Sequence, residues 1–180
     1  MNGIRLAGLA AFLSLVAGAC ATEAPARPDA RIPLAAPGET RSLFGAAWTW
    51  RDEQGEAVRF DRWRGAPIFV SMVFTSCTSA CPRTIERLRR VSDTFKSEGR
   101  AATFVLVTLD PANDTPDQLR RFKLSRGLPP EWHLLRGDEG ETRALADLLQ
   151  VKIVESAHIF HDSRIVVFDR DGKLAGQLHG

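Results

Sequence analysis

The chain has no block of basic residues, no internal repeat, no Cys-x-x-Cys motif, and no proline between residues 131 and 180. Each absence narrows the function. Lys and Arg total 24 against 22 Asp and Glu, a net charge of +2 spread along the chain, which argues against a nucleic-acid partner. Without repeats there is no solenoid to build. With 180 residues, 44% of them hydrophobic and 26% charged, the chain is long enough for one well-packed domain and short for two. Cysteine is also scarce, with Cys20, Cys77 and Cys81 the whole supply.

Cys20 closes an export signal over residues 1–20. Arg5 supplies the basic start, residues 6–16 are apolar and uncharged, and the small residues Ala17-Gly18-Ala19 precede the cysteine. Ala-Gly-Ala-Cys resembles a bacterial lipobox, whose cysteine is lipidated and becomes the mature N-terminus, although Ala17 stands where Leu is usual. Ordinary cleavage after Ala19 and an uncleaved anchor helix are the alternatives. All three put the remaining chain outside the cytoplasm, on the periplasmic side of a bacterial membrane. Residues 21–41 are rich in Ala and Pro and too poor in large apolar side chains to form a core, so they read as a tether. The folded domain is expected over residues 42–180.

Within that domain, residues 46–50 and 57–60 are short strand candidates around the turn Asp52-Glu53-Gln54-Gly55. Residues 67–74, PIFVSMVF, and 102–109, ATFVLVTL, are continuous apolar runs suited to buried strands. Between them Ile85, Leu88, Val91 and Phe95 recur at helical spacing, with Pro82 in the first turn and Gly99 at the end. Thr115-Pro116-Asp117-Gln118 is a capping box for a second helix to about Arg126. Residues 132–135 form a strand, 141–149 a helix, and 151–154, 164–168 and 173–178 strands, the last two joined by the turn Asp169-Arg170-Asp171-Gly172. The order is that of an α/β domain with a mixed sheet, flanking helices and a cysteine pair at a strand-to-helix junction, which matches a thioredoxin-like arrangement. The helix that often closes such folds is not seen after the last strand. Trp48, Trp50, Trp63 and Trp132 are too scattered in sequence to form a box and read as core or contact residues.

Setting Cys20 aside leaves Cys77 and Cys81 with only each other. A disulfide across so short a loop stabilises little, so a redox couple or a soft-metal site is the better reading. With Cys81 near the N-cap, both sulfurs face a helix N-terminus, and the positive end of the dipole is expected to favour thiolate. Thiolate serves metal and redox chemistry alike. Cys77-Thr78-Ser79-Ala80-Cys81 is one residue wider than the usual dithiol-oxidoreductase motif. Two thiolates suit Cu(I), and zinc if two more ligands are at hand. Of the four histidines, His158 and His161 lie on the loop expected opposite the cysteines, where thioredoxin-type oxidoreductases carry a proline that is missing here. His161 is the favoured third ligand and His158 the alternative. Asp110 and Asp114 read chiefly as organisers of the turn before the second helix.

Three ordered segments give a family resemblance: residues 74–82, FTSCTSACP; residues 109–116, LDPANDTP; and His161 followed eleven residues later by Gly172. Over residues 43–180 the chain resembles the SCO/SenC family, copper proteins that help assemble the copper centre of cytochrome c oxidase. The resemblance implies one copper ion, Cu(I) or Cu(II), held by Cys77, Cys81 and His161, and cytochrome c oxidase subunit II or another cuproprotein as recipient. It implies a chaperone rather than an enzyme, with thiol–disulfide exchange by Cys77 and Cys81 as the rival activity. Thr78-Ser79 departs from the family's frequent Pro-Asp after the first cysteine.

The lipobox reading has a direct check. Cys20→Ala should release the domain from membranes or leave an uncleaved signal on it, as read by fractionation and mature size. Unchanged size and unchanged membrane extraction would select the plain anchor helix.

Overall fold

The computed structural model describes residues 42–77, 80–155, 159–161 and 164–179, and side chains for all of these except at residues 80, 153–155, 159–161 and 179. The signal with Cys20, the tether, Thr78, Ser79 and His158 lie outside the described residues. No described helix is long and apolar enough to cross a membrane.

The apolar run after Pro67 forms β3 (Ile68–Val73), every residue of which is buried. It pairs in parallel with β4 (Thr103–Thr108) and antiparallel with β8 (Arg164–Phe168). β4 pairs in parallel with β5 (His133–Arg136), which meets β1 (Trp50–Asp52), and β1 meets β2 (Ala57–Val58). On the other side β8 turns back into β9 (Leu174–His179), giving the order β2-β1-β5-β4-β3-β8-β9. Helix α1 (Ala80–Ser97) links β3 to β4, and α2 (Pro116–Ser125) links β4 to β5. Both crossovers step the same way across the sheet, so connections of one hand put both helices on one face.

Alternation along β3 sorts the core. Phe69 and Val73 face Ile85 and Leu88 of α1 and Leu119 and Phe122 of α2. Ile68, Val70 and Met72 face the opposite cluster, which holds Leu145 and Ala146 of α3 (Glu139–Leu148). The mixed sheet with helices on both faces is the expected architecture.

Several boundaries differ from the sequence reading, each for a local reason. Helix α3 begins two residues early because Asp138 and Glu141 form a reciprocal capping box. The first strand lies at 50–52 rather than 46–50, and the second ends at Val58, after which Phe60–Trp63 is a 3-10 turn. The strand expected at 151–154 is β6 (Ile153–Glu155), paired antiparallel with an unforeseen β7 (Ile159–His161). His161 thus ends a strand and is not a loop residue. The β-formers Ile159 and Phe160 beside it favour that pairing. Three tryptophans that look scattered in sequence meet in space: Trp48, Trp50, Phe60 and Trp63 stack edge to face at 6.0, 5.7 and 5.8 Å, and Trp63 lies 4.7 Å from the His133 ring. Burial holds the His133 imidazole below its ordinary pKa, which favours the neutral ring against Trp63.

The turn at residues 52–55 forms as expected, yet Glu53 within it is buried. Its carboxylate meets Lys123 Nζ at 2.5 Å and accepts from the Leu134 amide at 3.1 Å, while Lys123 also donates to the carbonyls of Pro130 and Trp132. This pins α2 to the β1–β2 turn and the start of β5. Burial alone would raise Glu53, but the Lys123 bond and the backbone N–H bonds outweigh it and hold the carboxyl below its ordinary 4.5. The unfolded chain therefore binds the proton first as pH falls, and stability drops below about pH 4.5. Lys123→Met, which strands the buried carboxylate, should cost about 3–5 kcal/mol in urea unfolding at neutral pH. Glu53→Gln should flatten the acid slope of the same measurement.

Candidate metal centre

The site grows from the C-terminal end of β3. After Val73 the chain leaves the sheet through Phe74, whose carbonyl accepts from the Cys77 amide at 3.1 Å. Cys77 and Cys81 are both buried, 5% and 0% exposed, and they are thiols rather than a disulfide. Helix α1 starts at Ala80, so Cys81 lies inside the first turn and not at the N-cap expected from Pro82. Its amide donates to Cys77 Sγ at 3.4 Å, and its own sulfur lies 3.9 Å from the Phe74 carbonyl. Cys77 sulfur thus accepts one of the helix-start N–H groups that a Ser or Thr oxygen usually satisfies. The arrangement turns both sulfurs to one place.

Electrostatics correct the expectation of acidity at Cys81. Burial pushes the Cys81 thiol up to about 12; the neighbouring Cys77 adds to this, while the Phe74 backbone bond and Arg126 offset only part. Without a cation Cys81 stays protonated at neutral pH. A helix N-terminus cannot compensate for removing the sulfur from water.

A second carboxylate shapes the loop. Asp114, 2% exposed, accepts from the Thr75 amide at 3.0 Å, from Thr75 Oγ1 at 2.5 Å and from Thr108 Oγ1 at 2.5 Å. It joins the segment before Cys77 to the end of β4, where the Leu109 amide also donates to the Val73 carbonyl at 2.7 Å. The turn role expected of Asp114 is the smaller part of its work. Asp110 behaves as expected, holding Asn113 through its carboxylate. Arg126, noted in sequence only as the end of a helix, donates to the Cys77 carbonyl at 3.2 Å. A Thr two residues before the first cysteine and an Asp just before the capped helix were the available signals for the first contact. Nothing in sequence pointed to the second.

Among the described residues no group of three or more His, Cys, Asp or Glu side chains forms a metal cluster. The His161 side chain and all of His158 lie outside the description. The backbone still places His161 three residues before β8, whose pairing of Ile165 with Ser71 delivers the start of that strand to the C-terminal end of β3. Ser71 Oγ donates to the Arg164 carbonyl there at 2.8 Å. The chain carrying His161 therefore enters the sheet at the edge from which the cysteine loop leaves. Two sulfurs form a soft donor set, suited to Cu(I) ahead of hard cations.

The family model described as SCO1/SenC matches residues 36–180. The chain is 42% identical over 112 residues to a Stutzerimonas stutzeri protein named for copper binding, covering 58% of this chain and 54% of that one. It is similar to the solved structure of Bradyrhizobium japonicum ScoI with copper bound, with TM-score 0.63, 22% identity, and 73% and 87% of the two chains covered. It is also similar to BsSco, described as a member of the Sco family of cytochrome c oxidase assembly proteins with a disulfide switch, with TM-score 0.66, 22% identity, and 78% and 85% covered. These structural likenesses establish the thioredoxin-like fold.

Asp114→Ala leaves the buried Thr108 hydroxyl and the part-buried amide and hydroxyl of Thr75 without their acceptor and should destabilise the domain by about 3 kcal/mol in denaturant unfolding. Amide exchange at Thr75 should accelerate more than at residues of α3.

Proposed function

The chain belongs to the SCO1/SenC family, and from that premise we propose that it is a copper chaperone or insertion factor that carries one copper ion on Cys77, Cys81 and His161. The observation that supports this most is the convergence of two buried thiols at the end of β3, with the segment bearing His161 entering at the same edge. Copper is the cargo. On binding, Cu(I) displaces the thiol protons and is held by two thiolates, and His161 completes a roughly trigonal set. Thiolates of the recipient then replace these ligands one at a time, Cys77 and Cys81 taking protons back as they leave, so no electron changes hands. The copper centre of cytochrome c oxidase is the proposed destination, in keeping with the assembly role described for BsSco.

A second reading is thiol–disulfide exchange with the recipient's cysteines. Cys77, the less buried sulfur, would attack a recipient disulfide, and Cys81 would then resolve the mixed disulfide, leaving the recipient reduced and this chain oxidised. The high proton affinity of Cys81 fits that order of events and makes it a poor first attacker. The two reactions use the same sulfurs and are compatible as successive steps.

The reduced domain should bind one Cu(I) per chain, and Cys77→Ala or Cys81→Ala should remove the tight binding. Because Cys81 must lose a proton that it holds up to about pH 12, log affinity should rise by at least one per pH unit from pH 6 to 9. Stoichiometric Cu(I) binding after both substitutions would refute the site. His161→Ala should abolish the thiolate-to-Cu(II) absorption and spare part of the Cu(I) binding, with His158→Ala near wild type. The reverse pattern would make His158 the ligand, and indifference to both would favour the exchange reading.

A further inference from the structure

The cysteine pair carries a charge problem that its ligand count does not solve. Two thiolates with Cu(I) sum to one negative charge, a neutral imidazole leaves that unchanged, and both sulfurs are buried. With Cu(II) the same donors sum to zero. Some group must meet the extra charge of the cuprous form.

We propose that Arg126 is this group: a positioning and charge-balancing residue that favours Cu(I) over Cu(II) in the site. Its guanidinium Nη2 donates to the Cys77 carbonyl at 3.2 Å, which fixes the cation within one residue's reach of the first sulfur. The guanidinium is half-buried and lies 5.4 Å from the Phe122 ring, so water screens it only in part. Its backbone is held from both sides. The Arg126 amide donates to the Phe122 carbonyl at 2.9 Å, and the carbonyls of Arg126 and Gly127 accept from Arg89 Nη2 at 2.6 and 2.8 Å. Arg89 belongs to α1, the helix that carries Cys81, so that helix anchors the backbone from which the Arg126 guanidinium extends. Arg126 therefore does more than cap α2, because an end-capping role would not need a guanidinium turned toward the cysteine loop.

This inference rests on the reading of Cys77 and Cys81 as the copper-holding pair. The test compares Arg126→Gln and Arg126→Lys with wild type, using Cu(I) affinity by chelator competition and Cu(II) binding by its thiolate absorption. At an effective dielectric near 20, a unit charge at separations of roughly 6–10 Å changes affinity by about ten- to hundredfold. In Arg126→Gln the ratio of Cu(I) to Cu(II) affinity should fall by that much, while Arg126→Lys recovers most of it. Equal losses for both ions, no loss for either, or failure of Lys to rescue would each overturn the proposal. Should Arg126→Gln not fold, the wild-type protein still decides: its preference for Cu(I) over Cu(II) must fall as a non-coordinating salt such as sodium perchlorate screens the guanidinium, and a preference independent of salt refutes the inference. If wild type binds no Cu(I) through Cys77 and Cys81, it is the function reading that fails.

Discussion

The pairing of β3 with β4 sets the position of everything at the site. β3 is buried on both faces, so its ends are fixed by packing in three directions, and the loop to Cys77 leaves from a point that cannot drift. Asp114 extends that order beyond the last ladder bond by holding Thr75 against Thr108. From there the path to both sulfurs is short: the Phe74 carbonyl takes the Cys77 amide, Cys77 sulfur takes the Cys81 amide, and α1 begins. A pair of thiols four residues apart would be mobile on an open loop. Here it is a fixed feature of the sheet edge.

That rigidity comes with burial, and burial decides the chemistry. Removing Cys81 from water makes its thiolate costly, with a pKa near 12, despite the helix start beneath it. Cys81 so placed keeps its proton at neutral pH. In the proposed role Cu(I) supplies the balancing charge, and Arg126, held on the Cys77 carbonyl, meets what remains. The Lys123–Glu53 pair shows the same logic away from the site. The buried pair persists there because the Leu134 amide donates to Glu53 and the Pro130 and Trp132 carbonyls accept from Lys123, beside the bond between the two charges.

The sequence by itself determined the element order apart from β7, the mixed sheet, and the junction at which Cys77 and Cys81 lie, because apolar periodicity, caps and turn residues act over a few residues. Thr115-Pro116 as the start of α2 and Gly172 in the last turn were legible for that reason. Boundaries shifted where a cap or a strand partner outside the window intervened, as at Asp138 and in the β6–β7 pair that takes His161 out of its expected loop. Only the tertiary structure decided that Asp114 reaches Thr75 across 39 residues and that Arg126 reaches Cys77 across 49. It alone joined Trp48, Trp50 and Trp63 in one ladder and Glu53 to Lys123. It also reversed the expected acidity of Cys81, since a helix dipole can be read from local sequence whereas desolvation depends on every chain segment packed around the sulfur.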